Sequence, residues 1–72
     1  MDKEFLQKFA KRLKSIRKEK NIKQDDFLAV EGISRSLVSM VETARSDITL
    51  SKLKIIADVL GVEPKELLDF QE

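Results

Sequence analysis

The chain has 72 residues, no cysteine, no histidine and a formal net charge of +1. That length makes a single domain, 1–72, which buries only roughly 60% of the surface it exposes when unfolded, so its core is small. Without cysteine or histidine it has no disulfides, no thiolate or imidazole zinc ligands, no thiol nucleophile and none of the commonest general bases. The charged start Asp2-Lys3-Glu4 argues against a signal peptide, and no apolar stretch approaches the roughly 20 residues of a membrane span, so a cytoplasmic protein is expected.

Phe5, Phe9, Leu13 and Ile16 recur at intervals of three and four, with Leu6 and Ala10 beside them. This is one apolar stripe on a first helix of about four turns. Lys8, Lys11, Lys14 and Lys18 lie around it. Residues 1–23 carry nine positive charges against three carboxylates, a balance of +6, whereas residues 24–72 carry five against ten, a balance of −5. Such asymmetry points to a polyanionic partner, and a solvated lysine-rich helix explains it equally well. The first helix ends near Lys20-Asn21, where lysines meet the negative end of the dipole and Asn tolerates a left-handed stop. A short second helix spans about Gln24 to Val30, with Asp25 and Asp26 in its first turn, where negative charge is favourable. Gly32 then supplies a residue free to take positive φ. Ser34 caps a third helix running to about Thr43, with Val38 and Val41 facing inward. After an irregular stretch from Ala44 to Ile48, Thr49 caps a fourth helix to Leu60, and Gly61 closes it. Its inward stripe is Leu50, Leu53, Ile56, Ala57 and Leu60. Pro64 opens a fifth, short helix to about residue 69, and Leu67, Leu68 and Phe70 make that end apolar. No strand is predicted.

Two short helices joined by a glycine-bearing turn, the second capped by Ser and carrying small polar side chains, form a helix-turn-helix over about residues 24–43. The major groove of B-DNA, about 12 Å wide, admits one helix presented by another packed across it. The presented helix needs apolar residues only at its rear, here Val38 and Val41. Its front carries Arg35, Ser36, Ser39 and Met40. The run from Gln24 to Glu42 resembles the phage repressor/Cro-type (XRE-like) family of transcriptional regulators. Gln24 opens helix two, Gly32 makes the turn and Ser34 opens helix three. Val38 follows four residues after that Ser and Glu42 eight after it. Leu53, Ile56-Ala57, Leu60-Gly61-Val62 and Pro64-Lys65-Glu66-Leu67-Leu68 resemble the family's closing helices, so the likeness covers about residues 9–69. Departures are Lys23 for the usual Ser or Thr cap, Leu28 for Ala at the helix contact, Glu31 for an apolar residue, and Ala44 for Gly.

The resemblance implies an all-α, five-helix, lambda-repressor-like domain that binds double-stranded DNA, with helices 49–60 and 64–69 closing the core. It implies base contacts from Arg35, Ser36 and Met40, with Ser39 and Thr43 nearer the backbone. Gln24 would contact a phosphate, and Arg45 with Thr49 to Ser51 would hold a second. Arg35 can bond O6 and N7 of guanine together; the alternatives are a phosphate clamp or a solvated helix start. Arg17 and Glu42 occupy places where similar proteins pair an Arg with a Glu, which implies a partly buried ion pair orienting helix three. Two independent surface charges are the alternative.

Asp25-Asp26 could be read as an acid–base pair, but adjacent residues on a helix point about 100° apart. A helix-start role explains them better. Gly32 and Gly61 are isolated, so no phosphate-cradling loop is present. An enzyme is therefore not expected, nor is a cofactor, a metal or a small-molecule ligand. A domain this small covers few base pairs, and useful specificity calls for a homodimer on an inverted-repeat operator. Leu67, Leu68 and Phe70, with Ile55 and Val59, are the expected interface; the other possibility is that they close the monomer core. The rival function is a protein-interaction module or antitoxin on the same fold. Among free-standing regulators of this size, the stretch Arg45-Ser46-Asp47-Ile48-Thr49-Leu50 looks closer to restriction–modification controllers than to phage Cro-like proteins.

Overall fold

A computed structural model of the chain describes residues 2–27 and 32–70. In order these form α1 (Lys3–Glu19), a 3₁₀ turn (Gln24–Phe27), α2 (Arg35–Glu42), α3 (Leu50–Leu60) and a second 3₁₀ turn (Pro64–Leu68). No strand occurs among the described residues.

The α-helices begin and end where local chemistry dictates. The Asp2 carboxylate accepts the Phe5 N–H at 3.0 Å and starts α1. At its other end Asn21 takes φ 58°, a left-handed conformation that stops the helix. Ser34 Oγ accepts the Leu37 N–H at 3.0 Å to cap α2, and Thr49 Oγ1 accepts the Lys52 N–H at 3.2 Å to cap α3. Gly61, at φ 71°, closes α3 in the left-handed region. α2 is followed by Ala44 at φ 57°, the same left-handed stop made without glycine.

The spacing predicts five helices, and three are α-helical. The other two are 3₁₀ turns over their described spans. The predicted second helix begins as the turn Gln24–Phe27; its remainder, with the expected contact at Leu28 and the departure at Glu31, lies outside the described residues. Lys23 supplies no side-chain cap there. Instead Asp26 reaches back to accept the Lys23 N–H at 2.7 Å, the reverse half of a capping box. At Pro64–Leu68 the Glu66 carboxylate likewise accepts the Glu63 N–H at 2.8 Å. Five residues closed by i→i+3 bonds, such as Asp69 N–H to the Glu66 carbonyl, are too few to build the longer α ladder.

One core joins all five elements. Phe9, Leu13 and Ile16 of α1 meet Phe27, Ile33, Val38 and Val41, together with Leu53, Ile56, Ala57, Leu60 and Leu67. Three expectations change at its edge. Leu67 is fully buried, so it fills this core and is not available to a partner. Leu50, predicted on the inward stripe of α3, is 81% exposed. It is the first residue of the helix, one turn ahead of Leu53, and the stripe has already left the core there. Phe5, predicted on the inward stripe of α1, is 49% exposed: the buried position there belongs to Leu6, and Phe5 packs edge-on against Phe70 with ring centroids 5.4 Å apart.

Candidate nucleic-acid interface

α2 has a sealed rear and a polar front. Val38 and Val41 are buried in the core, while Arg35, Ser36, Met40 and Thr43 are exposed and Ser39 is half-buried. Offsets of one, four, five and eight residues from Arg35 place these five side chains on one side of a helix. An α-helix with its side chains is about 10–12 Å across, so these eight residues can lie in a major groove about 12 Å wide.

A polar node fixes how this helix sits. Glu42, the last residue of α2, accepts from Arg17 of α1 through Nε at 2.6 Å and Nη2 at 3.0 Å, a two-point contact. The carboxylate side chain is 2% exposed. Arg17 Nη1 donates to the Ile22 carbonyl at 2.9 Å, and Gln24 Nε2 donates to Glu42 Oε1 at 3.2 Å. No buried side-chain nitrogen or oxygen among the described residues lacks a hydrogen-bond partner. Charges this deep are tolerated only when their hydrogen-bonding capacity is met, and here it is. The Gln24 amide is thus turned inward to Glu42, away from the outward phosphate contact expected of it.

The front of α2 is flanked by two open recesses. One, lined by Gln24, Arg35, Ser36 and Ser39, lies between the first 3₁₀ turn and the helix. The other lies towards α3, where Lys52 joins Ser36 and Met40. Arg35 Nε lies 3.1 Å from Asp25 Oδ1, an ion pair across the helix-turn-helix in which both side chains stay about 60% exposed. The Thr43 hydroxyl donates back to the Ser39 carbonyl at 2.9 Å and approaches the Met40 carbonyl at 3.2 Å. Its proton is spent on its own helix, which leaves it no donor for the phosphate contact expected of it. Thr49 is the opposite case: its oxygen accepts from Lys52 N–H, so its own O–H remains to donate. Arg45, Thr49 and Ser51 are all exposed.

Reading the sequence missed three features. Lys52 sits beside the front of α2, and its spacing from Thr49 gave no sign of that. Asp25 partners Arg35 from ten residues away, a distance only the turn between them closes. Phe5 and Leu50 meet Leu68, itself 43% exposed, around an apolar recess of about 240 Å³ also lined by Leu6, Phe9 and Leu53. Of the residues expected at a dimer interface, Leu68 lines this recess, Phe70 touches its edge through Phe5, and Ile55 and Val59 are half-buried against the core. The described residues contain no cluster of carboxylates able to hold a metal ion, and none of their helices is long and apolar enough to cross a membrane.

Comparison with known proteins agrees with this geometry. A family model described as helix-turn-helix matches residues 13–67. The control protein C.BamHI of Bacillus amyloliquefaciens is 33% identical over 63 residues, which is 86% of this chain and 78% of that protein. The crystal structure of the restriction–modification controller protein C.AhdI from Aeromonas hydrophila superposes with a TM-score of 0.80 at 34% identity, covering 86% of this chain and 94% of that one.

Proposed function

The chain belongs to the helix-turn-helix family, and from that premise we propose that it is a controller-type regulator that reads an inverted-repeat operator as a homodimer. As a member of that family it is a DNA-binding transcription regulator and not an enzyme. The finer reading rests on α2, which enters the major groove with Arg35, Ser36 and Met40 towards base edges. The observation that carries it is a polar, exposed front backed by a buried ion pair that holds the helix in one orientation. Arg45, Thr49 and Ser51 contact the phosphates of the flanking backbone, joined by Lys52. Ser39 stands nearer the sugar–phosphate edge.

The second copy covers the recess formed by Phe5, Leu50 and Leu68. A two-fold contact uses the same patch on both subunits, so the patch must contain both a projection and a hollow. Leu50 is the projection, and it stands at the mouth of the hollow. The carboxylates on the rim are turned to local backbone: Asp2 caps α1, and Asp47 accepts the Ile48 N–H at 2.7 Å. To read an inverted repeat, the two copies of α2 must meet half-sites about 34–36 Å apart, one turn of B-DNA.

The test is selection from a pool of random-sequence duplexes at about 150 mM salt. Recovery of a two-part inverted repeat, with its guanine preference lost in Arg35→Ala, is the expected result. Recovery of no motif, with residual binding that vanishes steeply as salt rises, would leave only the sequence-independent phosphate attraction and overturn the reading.

A further inference from the structure

We propose that Asp25 is a specificity-determining residue: it holds Arg35 in a guanine-reading pose and keeps that arginine from acting as a general phosphate clamp. The inference rests on the groove-reading role given to α2 above and adds a residue to it.

The two adjacent acids of the first 3₁₀ turn do different work. Asp26 accepts the Lys23 N–H and so starts the turn. Asp25 has no such duty in the structure; it is exposed, and its carboxylate faces the Arg35 guanidinium. The contact is made at Nε, with Oδ1 3.1 Å away. Nε lies at the inner end of the guanidinium, so the terminal pair Nη1 and Nη2 is left pointing onward. Among the described residues neither terminal nitrogen makes a hydrogen bond. That pair is the fork that matches O6 and N7 of guanine. The recess beside it is lined by polar side chains, Gln24, Ser36 and Ser39, which suits a base edge better than a methyl group.

A carboxylate on a DNA-facing surface weakens binding to every sequence, because it repels the phosphates. Its gain lies elsewhere. Partial neutralisation of Arg35 diminishes the long-range attraction that any phosphate exerts. The directional two-point bond to guanine, which depends on geometry, survives. Holding the side chain in one rotamer also removes part of the entropy lost on forming that bond. Asp25 thus trades overall affinity for discrimination at one base pair.

The experiment uses the full chain and the site recovered by selection. The guanine whose preference disappears in Arg35→Ala is identified first. Affinity is then measured for that site, for the same site with 7-deazaguanine there, and for a scrambled duplex. Asp25→Asn, which keeps the shape and removes the charge, is expected to bind the scrambled duplex more tightly. Its discrimination at the one guanine should fall by about fivefold or more, within the range of a single arginine–guanine contact, with other positions unchanged. Its salt dependence on scrambled DNA should steepen by about 0.9 in log–log slope, as Arg35 becomes a phosphate contact. Asp25→Glu, which keeps the charge, should retain most of the discrimination. If Asp25→Asn tightens binding to all three duplexes by the same factor, Asp25 is only a repelling charge and the inference falls alone. If the wild type shows no guanine preference, the function proposed above falls and takes the inference with it.

Discussion

Removal of Arg17 is the most severe single test of how α2 is held. In the wild type the Glu42 carboxylate accepts two bonds from Arg17 and one from Gln24 while 2% exposed. Arg17→Ala leaves that carboxylate with the Gln24 amide alone, in a place water barely reaches. Breaking a buried pair from one side typically costs about 3–5 kcal/mol. A 72-residue domain has only about 4–11 kcal/mol in total, at the usual per-residue stability. With a urea dependence of about 1 kcal/mol per molar for so small a protein, the unfolding midpoint should drop by about 3–5 M, or the variant should be unfolded without denaturant. Glu42→Ala is expected to cost less, because Arg17 keeps the Ile22 carbonyl and its side chain is 11% exposed. The pair Arg17→Met with Glu42→Leu should recover much of the loss, since two apolar side chains need no solvation. Urea unfolding followed by circular dichroism reads all three. An Arg17→Ala midpoint within about 0.5 M of wild type would refute the reasoning, because the carboxylate would then be finding water.

Ala44 holds φ 57°, where a Cβ costs roughly 1–2 kcal/mol. Ala44→Gly relieves that but adds unfolded-state entropy, so a net gain of about 0.5–1 kcal/mol, or several degrees in thermal melting, is expected; a lowered melting temperature would contradict the strain. Leu50→Glu puts a charge on an 81%-exposed position at the mouth of the apolar recess. It should leave helicity intact and convert the proposed dimer to a monomer in sedimentation at tens of micromolar, and a wild type that sediments as a monomer would remove the proposed interface. Arg45→Ala should weaken binding to all sequences alike and lower the salt slope by about 0.9, the signature of one lost phosphate contact; a sequence-dependent effect would make it a base reader instead.

The parts of the fold legible in the sequence are those with local signals of their own. Ser34, Thr49, Gly61 and Asn21 mark helix ends because their side chains or backbones satisfy terminal groups, and they do so wherever the helix packs. The 3.6-residue spacing of Phe9, Leu13 and Ile16 needs no partner to be read, although Phe5, which continues it, is exposed and Leu6 takes the buried place. Spacing does not say where the core stops, and for that reason Leu50 was indistinguishable from Leu53. Pro64–Leu68 is too short for a period, so neither its 3₁₀ form nor the burial of Leu67 beside an exposed Leu68 was visible. The front of α2 was legible from residue type and offset. What reached it from other elements was not. Asp25, Lys52 and the inward turn of Gln24 depend on how the turns fold back, which no spacing along the chain encodes.

Eight residues make too short a helix to persist unaided, since nucleation is unfavourable and few bonds repay it. α2 must therefore be oriented by its neighbours, and two consecutive residues reach both of its ends. Gln24 donates to Glu42, the last residue of α2, and Asp25 pairs with Arg35, the first. The first 3₁₀ turn is thus referenced to both ends of α2. The two ties differ in kind. The Glu42 end is sealed and worth stability, because an unmet bond there has no water to turn to. The Arg35 end is exposed and worth little stability, since surface ion pairs contribute at most about 1 kcal/mol. On the proposal above, its effect lies in what Arg35 does to DNA. Substitution at Gln24 should accordingly move the unfolding midpoint, whereas substitution at Asp25 should move sequence preference with the midpoint unchanged. A turn that merely packed against the helix would link the two effects.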